Sequence, residues 1–179
     1  NHQWSKSIEA ERSLVEVLHA GIGEGLEYFS LLRPFSELEI ARRFAATCER
    51  YFEAFTSCNA AFRIDPGRRS DRWCGNCPKC RFVFLALAPF IDPVRLAGIF
   101  GVDLLRERVQ AEGFDALIGW DAHKPFECVG EVEESLVALT MLDYDAPVLT
   151  ALRAAVPPDA WATASKDNVL AVPSTAVTT

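Results

Sequence analysis

Four of the six cysteines fall in the stretch SCNAAFRIDPGRRSDRWCGNCPKC, residues 57–80, and no other feature constrains the fold so tightly. Cys58, Cys74, Cys77 and Cys80 read C-x15-C-x2-C-x2-C. Two-residue gaps let successive thiolates converge on one ion while backbone amides turn in to offset the negative charge. Gly75 and Pro78 supply the tight turns. A redox C-x-x-C pair would use two of these sulfurs and leave two without a role. An iron–sulfur cluster also takes four thiolates, so spacing leaves it open. A zinc ion held by all four would have no position left for water, which makes the cage a support for the fold rather than a reaction centre. Six basic residues surround the cysteines: Arg63, Arg68, Arg69, Arg72, Lys79 and Arg81. They read equally as phosphate-binding groups or as counter-charges to a dianionic zinc tetrathiolate.

The chain has 179 residues, half of them hydrophobic, enough for one domain with a core. The expected division is a single domain over 1–160, with the cage at 58–80, and a flexible tail over 161–179. A formal charge of −7 does not favour binding to a nucleic acid backbone. A zinc-stabilised nucleic-acid or protein-binding module, using the basic segment 63–81, is the alternative from another functional class. No apolar run reaches the roughly 18 to 20 residues of a membrane span. The apolar stretch FVFLALAPFI is a core element. With no secretory signal in view, a reducing cytoplasm is the expected compartment, and a disulfide framework is disfavoured there.

The element pattern predicts α/β structure early and helices after the cysteines. Ile8, Leu14, Val15, Leu18 and Ile22 recur at helical spacing, and Gly21, Gly23 and Gly25 end that helix. LEYFSLL (26–32) and FEAFTS (52–57) read as short strands. Between them, SELEIARRFAATC opens on a capping box of Ser36 and Glu39, with Leu38, Ala41, Ala45 and Cys48 on one face. A buried helix is expected to end near Pro89, followed by short helices over 94–100, 103–110 and 115–120. Another is expected from Glu131 to Leu142, its first turn acidic as the helix dipole favours. The last is capped by Asp145 and carries Pro147 in its first turn. The closing VPSTAVTT reads as a frayed end.

A resemblance reaches the same residues. RPFSELEIARRFA, FTSCN and WCGNCPKC are similar to the C-terminal half of N-type ATP pyrophosphatases (adenine nucleotide alpha hydrolase-like enzymes), such as cyano-deazaguanine synthases. Those enzymes hold zinc with four cysteines. The family's helix-start lysine is replaced here by Leu38, and the gap from Cys58 to Cys74 is longer. NHQWSKS, YFSLLRPFSELEIARRF, FTSCN, DRWCGNCPKCRFVFLALAPF and HKPFECVGEVEES more closely resemble the ATP-dependent UDP-N-acetylmuramoyl-L-alanyl-L-glutamate epimerases of bacterial peptidoglycan synthesis. The resemblance implies an isomerase that activates the terminal L-glutamate as an acyl-adenylate and inverts its α-carbon. Hydrolysis then leaves the D-glutamyl product, AMP and diphosphate. A related pyrophosphatase acting on another carboxylate is the third reading. The superfamily's S-G-G-x-D-S nucleotide loop does not occur in these 179 residues. The glycines of GIGEG end a helix and do not replace it. The chain is therefore expected to be the C-terminal part of a longer enzyme, with ATP and Mg handled by an N-terminal part.

Inversion at a carbon needs a base on one face and a proton source on the other. HKPFECVGEVEES offers His123, Glu127 and Cys128 as acid/base candidates. Cys128 precedes a predicted helix start, where the dipole lowers a thiol pKa. The competing reading makes Cys128 a small buried hydrophobe. For the substrate's phosphates or carboxylates, the candidates are His2 and Lys6, just before a helix N-terminus, and Arg63 beside the cage. An ordinary capped helix start competes with that reading of His2 and Lys6.

Overall fold

The computed structural model describes residues 4–127, 129–162 and 164–171. The terminal VPSTAVTT, His2 and Cys128 lie outside them. The chain forms two compact units, one ending at Pro34 and the other running from Phe35.

The first unit is built on α1 (Ile8–Gly21). The Ser7 hydroxyl caps it by accepting from the Ala10 amide at 3.1 Å. Gly23, at φ 123°, takes the chain off the helix through a conformation closed to most side chains. Residues 26–33 fold back along α1. His19 Nε2 lies 2.9 Å from the Leu26 carbonyl, and the Arg33 guanidinium pairs with Glu11 at 2.6 Å. The strand expected at 26–32 is absent. These residues are irregular or turn, and no strand is present among the described residues to complete a ladder.

The second unit is helical: α2 (Glu37–Thr47), α3 (Pro78–Leu87), α4 (Pro93–Phe100), α5 (Ala111–Ile118), α6 (Val132–Thr140), α7 (Pro147–Ala155), α8 (Pro158–Ala162) and α9 (Lys166–Val169). The α/β expectation is thus replaced by helices. The strand expected at 52–57 fails for a geometric reason. Phe52 and Phe55, three residues apart, would face opposite sides of a strand. In the observed turn both rings reach Phe44 of α2, with centroids at 5.6 and 4.8 Å. The row continues from Phe55 to Trp73, from Trp73 to Phe100 of α4 and from there to Phe84 of α3. These contacts tie the cysteine segment to the core.

The central element is α3. Cys80, Phe82, Phe84, Leu85, Ala86 and Leu87 are all buried, as the all-round apolar pattern predicts, and the helix contacts α2, α4, α5 and α6. Residues 103–107 form turns leading to a 3-10 turn at Arg108–Gln110 in place of a helix. The next helix, α5, lies four residues earlier than expected because Asp115 is spent inside it. Its buried carboxylate accepts from the Asp121 and Ala122 amides at 3.0 and 2.8 Å. Ala146, rather than Asp145, caps α7. Within 161–171, expected above as tail, Val169 is buried and its carbonyl accepts from Ser36 Oγ.

Two carboxylates organise the packing. Ser36 caps α2 through the Glu39 amide at 3.0 Å, but Glu39 itself does not close a capping box. It is fully buried, and it binds Arg42 and Arg43 at 2.6 and 2.7 Å. The Arg42 hydrogen bond, with help from Arg43, overcomes burial and holds the Glu39 carboxyl below the usual range. Glu134 of α6 accepts from the Glu37 and Leu38 amides at 2.6 and 3.3 Å through one oxygen, and from the Glu131 amide at 2.5 Å through the other. A single carboxylate thereby serves the N-termini of both α2 and α6. Glu134→Gln keeps the shape but turns one acceptor into a donor facing an amide N–H. It should cost roughly 1 to 3 kcal/mol, read as a fall of several degrees in Tm. An unchanged Tm would show that this carboxylate does not hold the two helices together.

Candidate metal centre and adjoining loop

The cage is assembled by two segments of the chain. Cys58 follows the turn after Phe55, where Thr56 Oγ1 accepts from the Cys58 amide at 3.2 Å and donates to the Arg72 carbonyl at 2.7 Å. That pair closes the long loop between Cys58 and Cys74. Gly75, at φ 67°, makes the turn after Cys74. Cys77 is the N-cap of α3, with Pro78 at its first position, and its Sγ accepts from the Cys80 amide at 3.4 Å. The dipole of α3 therefore favours a thiolate at Cys77.

The four sulfurs lie within 4.8 Å of one another and Cys58 and Cys80 are fully buried. Closest separations are 3.9 Å for Cys58–Cys77, 3.8 Å for Cys74–Cys80 and 3.5 Å for Cys77–Cys80. A tetrahedral ion with metal–sulfur bonds of about 2.3 Å needs sulfur–sulfur edges of about 3.8 Å. The spacing therefore fits one ion and is too tight for a cluster of several irons and sulfides. These sulfurs are also too far apart for disulfide bonds. Amide donors point inward: Cys74 to the Cys58 sulfur at 3.3 Å, and Asn76 to the Cys74 sulfur at 3.5 Å.

Taken as thiols alone, the four divide into pairs. The hydrogen bond with Cys80 draws Cys77 down to about 4 in spite of burial, with the Cys80 and Asn59 amides assisting. The same contact with Cys77, and then burial, drives Cys80 far up. Burial also raises Cys74. Cys58 is likewise pushed up by burial, but the Cys74 amide, the Ser70 hydroxyl and the Ala61 amide outweigh this and leave it lowered. A cation would let all four deprotonate together.

The loop over 121–127 reaches the residue after Cys58. Its start is held by Asp115. Lys124 Nζ pairs with Glu131 at 3.2 Å, and the Glu127 carboxylate accepts from Asn59 Nδ2 at 2.7 Å. Glu127 is half-buried and His123 exposed. Arg63 is exposed in the long loop, where its Nη1 donates to the Arg68 carbonyl at 3.3 Å and its carbonyl accepts from Arg69. Lys6 closes a 3-10 turn, Trp4–Lys6, in the first unit. Leu38, at the position of the lysine noted above, is buried. Of the candidates read from sequence, the structure thus unites the four cysteines and brings Glu127 to within one residue of them. Asn59, its partner, was missed. The signal available was its place directly after a ligand cysteine.

A helical domain carrying a cluster of four cysteines that could hold one metal ion is the class of protein these features define. Residues 54–167 match the MurL C-terminal domain, and residues 1–31 match the MurL N-terminal domain. The chain belongs to the MurL family. It is 55% identical to the UDP-N-acetyl-alpha-D-muramoyl-L-alanyl-L-glutamate epimerase of a Micromonospora species, over 94% of this chain and 38% of that protein. The Salinispora tropica protein of the same name is also 55% identical, over 94% of this chain and 37% of its own length. For that of Xanthomonas oryzae pv. oryzae, identity is 52% over 79% of this chain and 31% of the relative. The chain thus spans well under half the length of these relatives. No solved structure matches it significantly.

Removing one ligand should empty the cage. Unaltered protein should carry about one metal ion per chain and Cys77→Ser none, with loss of the folded second unit, because a structural metal's binding energy is folding energy. Full metal content in Cys77→Ser, measured by elemental analysis, would contradict this assignment.

Proposed function

We propose that this chain is part of an ATP-dependent epimerase, acting in the cytoplasm, that converts the terminal L-glutamate of UDP-N-acetylmuramoyl-L-alanyl-L-glutamate to D-glutamate for peptidoglycan. The observation that carries this reading is the 55% identity, over 94% of the chain, to epimerases named for that substrate. Zinc is the metal proposed for Cys58, Cys74, Cys77 and Cys80, since a closed tetrahedral four-thiolate site is a structural zinc arrangement. It would supply folding energy and leave no position for substrate.

The proposed chemistry starts with the α-carboxylate joined to AMP by ATP, with Mg and the nucleotide loop supplied outside these residues. This joining removes the carboxylate's charge and acidifies the neighbouring α-proton. A residue of this chain then takes that proton, and another group returns one to the opposite face. Glu127, held by Asn59 at 2.7 Å and half-buried, is the described candidate for one of these roles. Cys128 and His123, its near neighbours in sequence, are the others. His2, Lys6 and Arg63 are proposed to contact the substrate's phosphates or carboxylates. The N-type ATP pyrophosphatase fold is proposed for the longer protein that would contain both matched domains.

A longer protein that includes this chain and an upstream nucleotide loop should release AMP and diphosphate with the L-glutamyl substrate and yield D-glutamate on hydrolysis. These 179 residues alone should release neither. Turnover by this chain alone, or a longer protein that consumes ATP without inversion, would overturn the reading.

A further inference from the structure

Asn59 stands between the two functional regions. Its backbone amide helps hold the Cys77 thiol down, and its side-chain amide donates to Glu127 Oε2 at 2.7 Å. Its own position in the chain is fixed by Cys58, which is fully buried. One end of this residue is thus tied to the cage, and the other holds a carboxylate 68 positions further along.

The remainder of the loop narrows what Asn59 contributes. Asp115 holds Asp121 and Ala122, Lys124 holds Glu131, and Glu134 holds the Glu131 amide. Those contacts fix the two ends of the segment. Between them, the Val129 amide donates to the Glu127 carbonyl at 2.9 Å, which sets the backbone of Glu127 but not its side chain. Asn59 is the described side chain that orients the carboxylate itself. A neutral amide donor suits that task. It fixes one oxygen of the carboxylate and brings no charge of its own.

We propose that Asn59 is a positioning residue for the epimerisation, aiming the Glu127 carboxylate at the substrate α-carbon and coupling that aim to the metal cage. This rests on the reading of Glu127 as an acid/base group. Loss of a hydrogen bond that orients a metal ligand typically costs about 10- to 100-fold, and the same scale is expected for this carboxylate.

The test uses the longer, metal-loaded protein with Asn59→Ala, Asn59→Asp, Glu127→Gln and the Asn59→Ala/Glu127→Gln double variant. For Asn59→Ala, kcat for α-hydrogen exchange with deuterated water should fall about 10- to 100-fold. KM, metal content and diphosphate release should stay near their original values, and amide exchange should quicken over 124–131. Asn59→Asp, isosteric but repelling Glu127, should be no better than Asn59→Ala. The double variant should be no slower than Glu127→Gln alone, since the two side chains act through one contact. Normal α-hydrogen exchange in Glu127→Gln would sink the reading of Glu127. If Glu127→Gln is inactive while Asn59→Ala exchanges at the normal rate, Glu127 keeps its role and the positioning proposal falls. Loss of metal in Asn59→Ala would make Asn59 a prop of the cage and would equally overturn it.

Discussion

Four thiolates within 4.8 Å of one another cannot all carry charge unaided. At about 4 Å, two unit charges repel by roughly 4 kcal/mol even at an effective dielectric of 20. The local structure answers that repulsion at three of the sulfurs, with inward-facing amides at Cys58 and Cys74, a hydroxyl at Ser70 beside Cys58 and a helix N-terminus at Cys77. These partial charges are small against four full ones. A cation, which the four sulfurs could hold, would balance the site, and the three closest sulfur separations, 3.5 to 3.9 Å, lie near the edge of a tetrahedron around one ion. The segment from Cys58 to Cys80 has a 3-10 turn and loops of its own but no long regular element before α3. Its shape therefore depends on this centre and on the aromatic row through Trp73.

The cage also reaches outward. Cys77 starts α3, the helix around which the second unit packs, so the four-cysteine cluster and the core share one element. Gly130 shows how close the neighbouring loop runs: a Cβ there would lie 2.2 Å from Phe82 of α3 and 2.5 Å from Glu134. Its hydrogen atom is what lets the backbone at Gly130 approach α3 while Glu134 spans to α2. The same arrangement leaves Glu127 beside Asn59, at the side of the cage. The cage itself is closed, so chemistry proposed for this region falls to the loop against it.

Short-range features of the sequence were legible and long-range pairings were not. Cysteine spacing located the centre because ligand geometry repeats over two residues. The apolar run after Cys80 announced the buried α3, and Pro147 marked a true helix start. The aromatic runs misled, because β-rich composition does not reveal whether partners exist for a ladder. Phe52 and Phe55 instead sit in a turn that points both at Phe44. Glu134 was readable as a first-turn acid favoured by a dipole, but its second helix begins 97 residues away. Asn59 and Glu127, 68 residues apart, were hidden for the same reason. Glu39 shows a local pattern losing to a local competitor: Arg42 and Arg43, one turn ahead, took the carboxylate from its capping role.

X-ray absorption spectroscopy of the protein isolated under reducing conditions tests the central claim most directly, since it reports the element and its ligands together. The account predicts a zinc edge with four sulfur scatterers at about 2.3 Å and no oxygen or nitrogen in the coordination sphere. An iron edge with a metal–metal distance, a mixed sulfur and oxygen sphere, or cysteines paired as disulfides would contradict it.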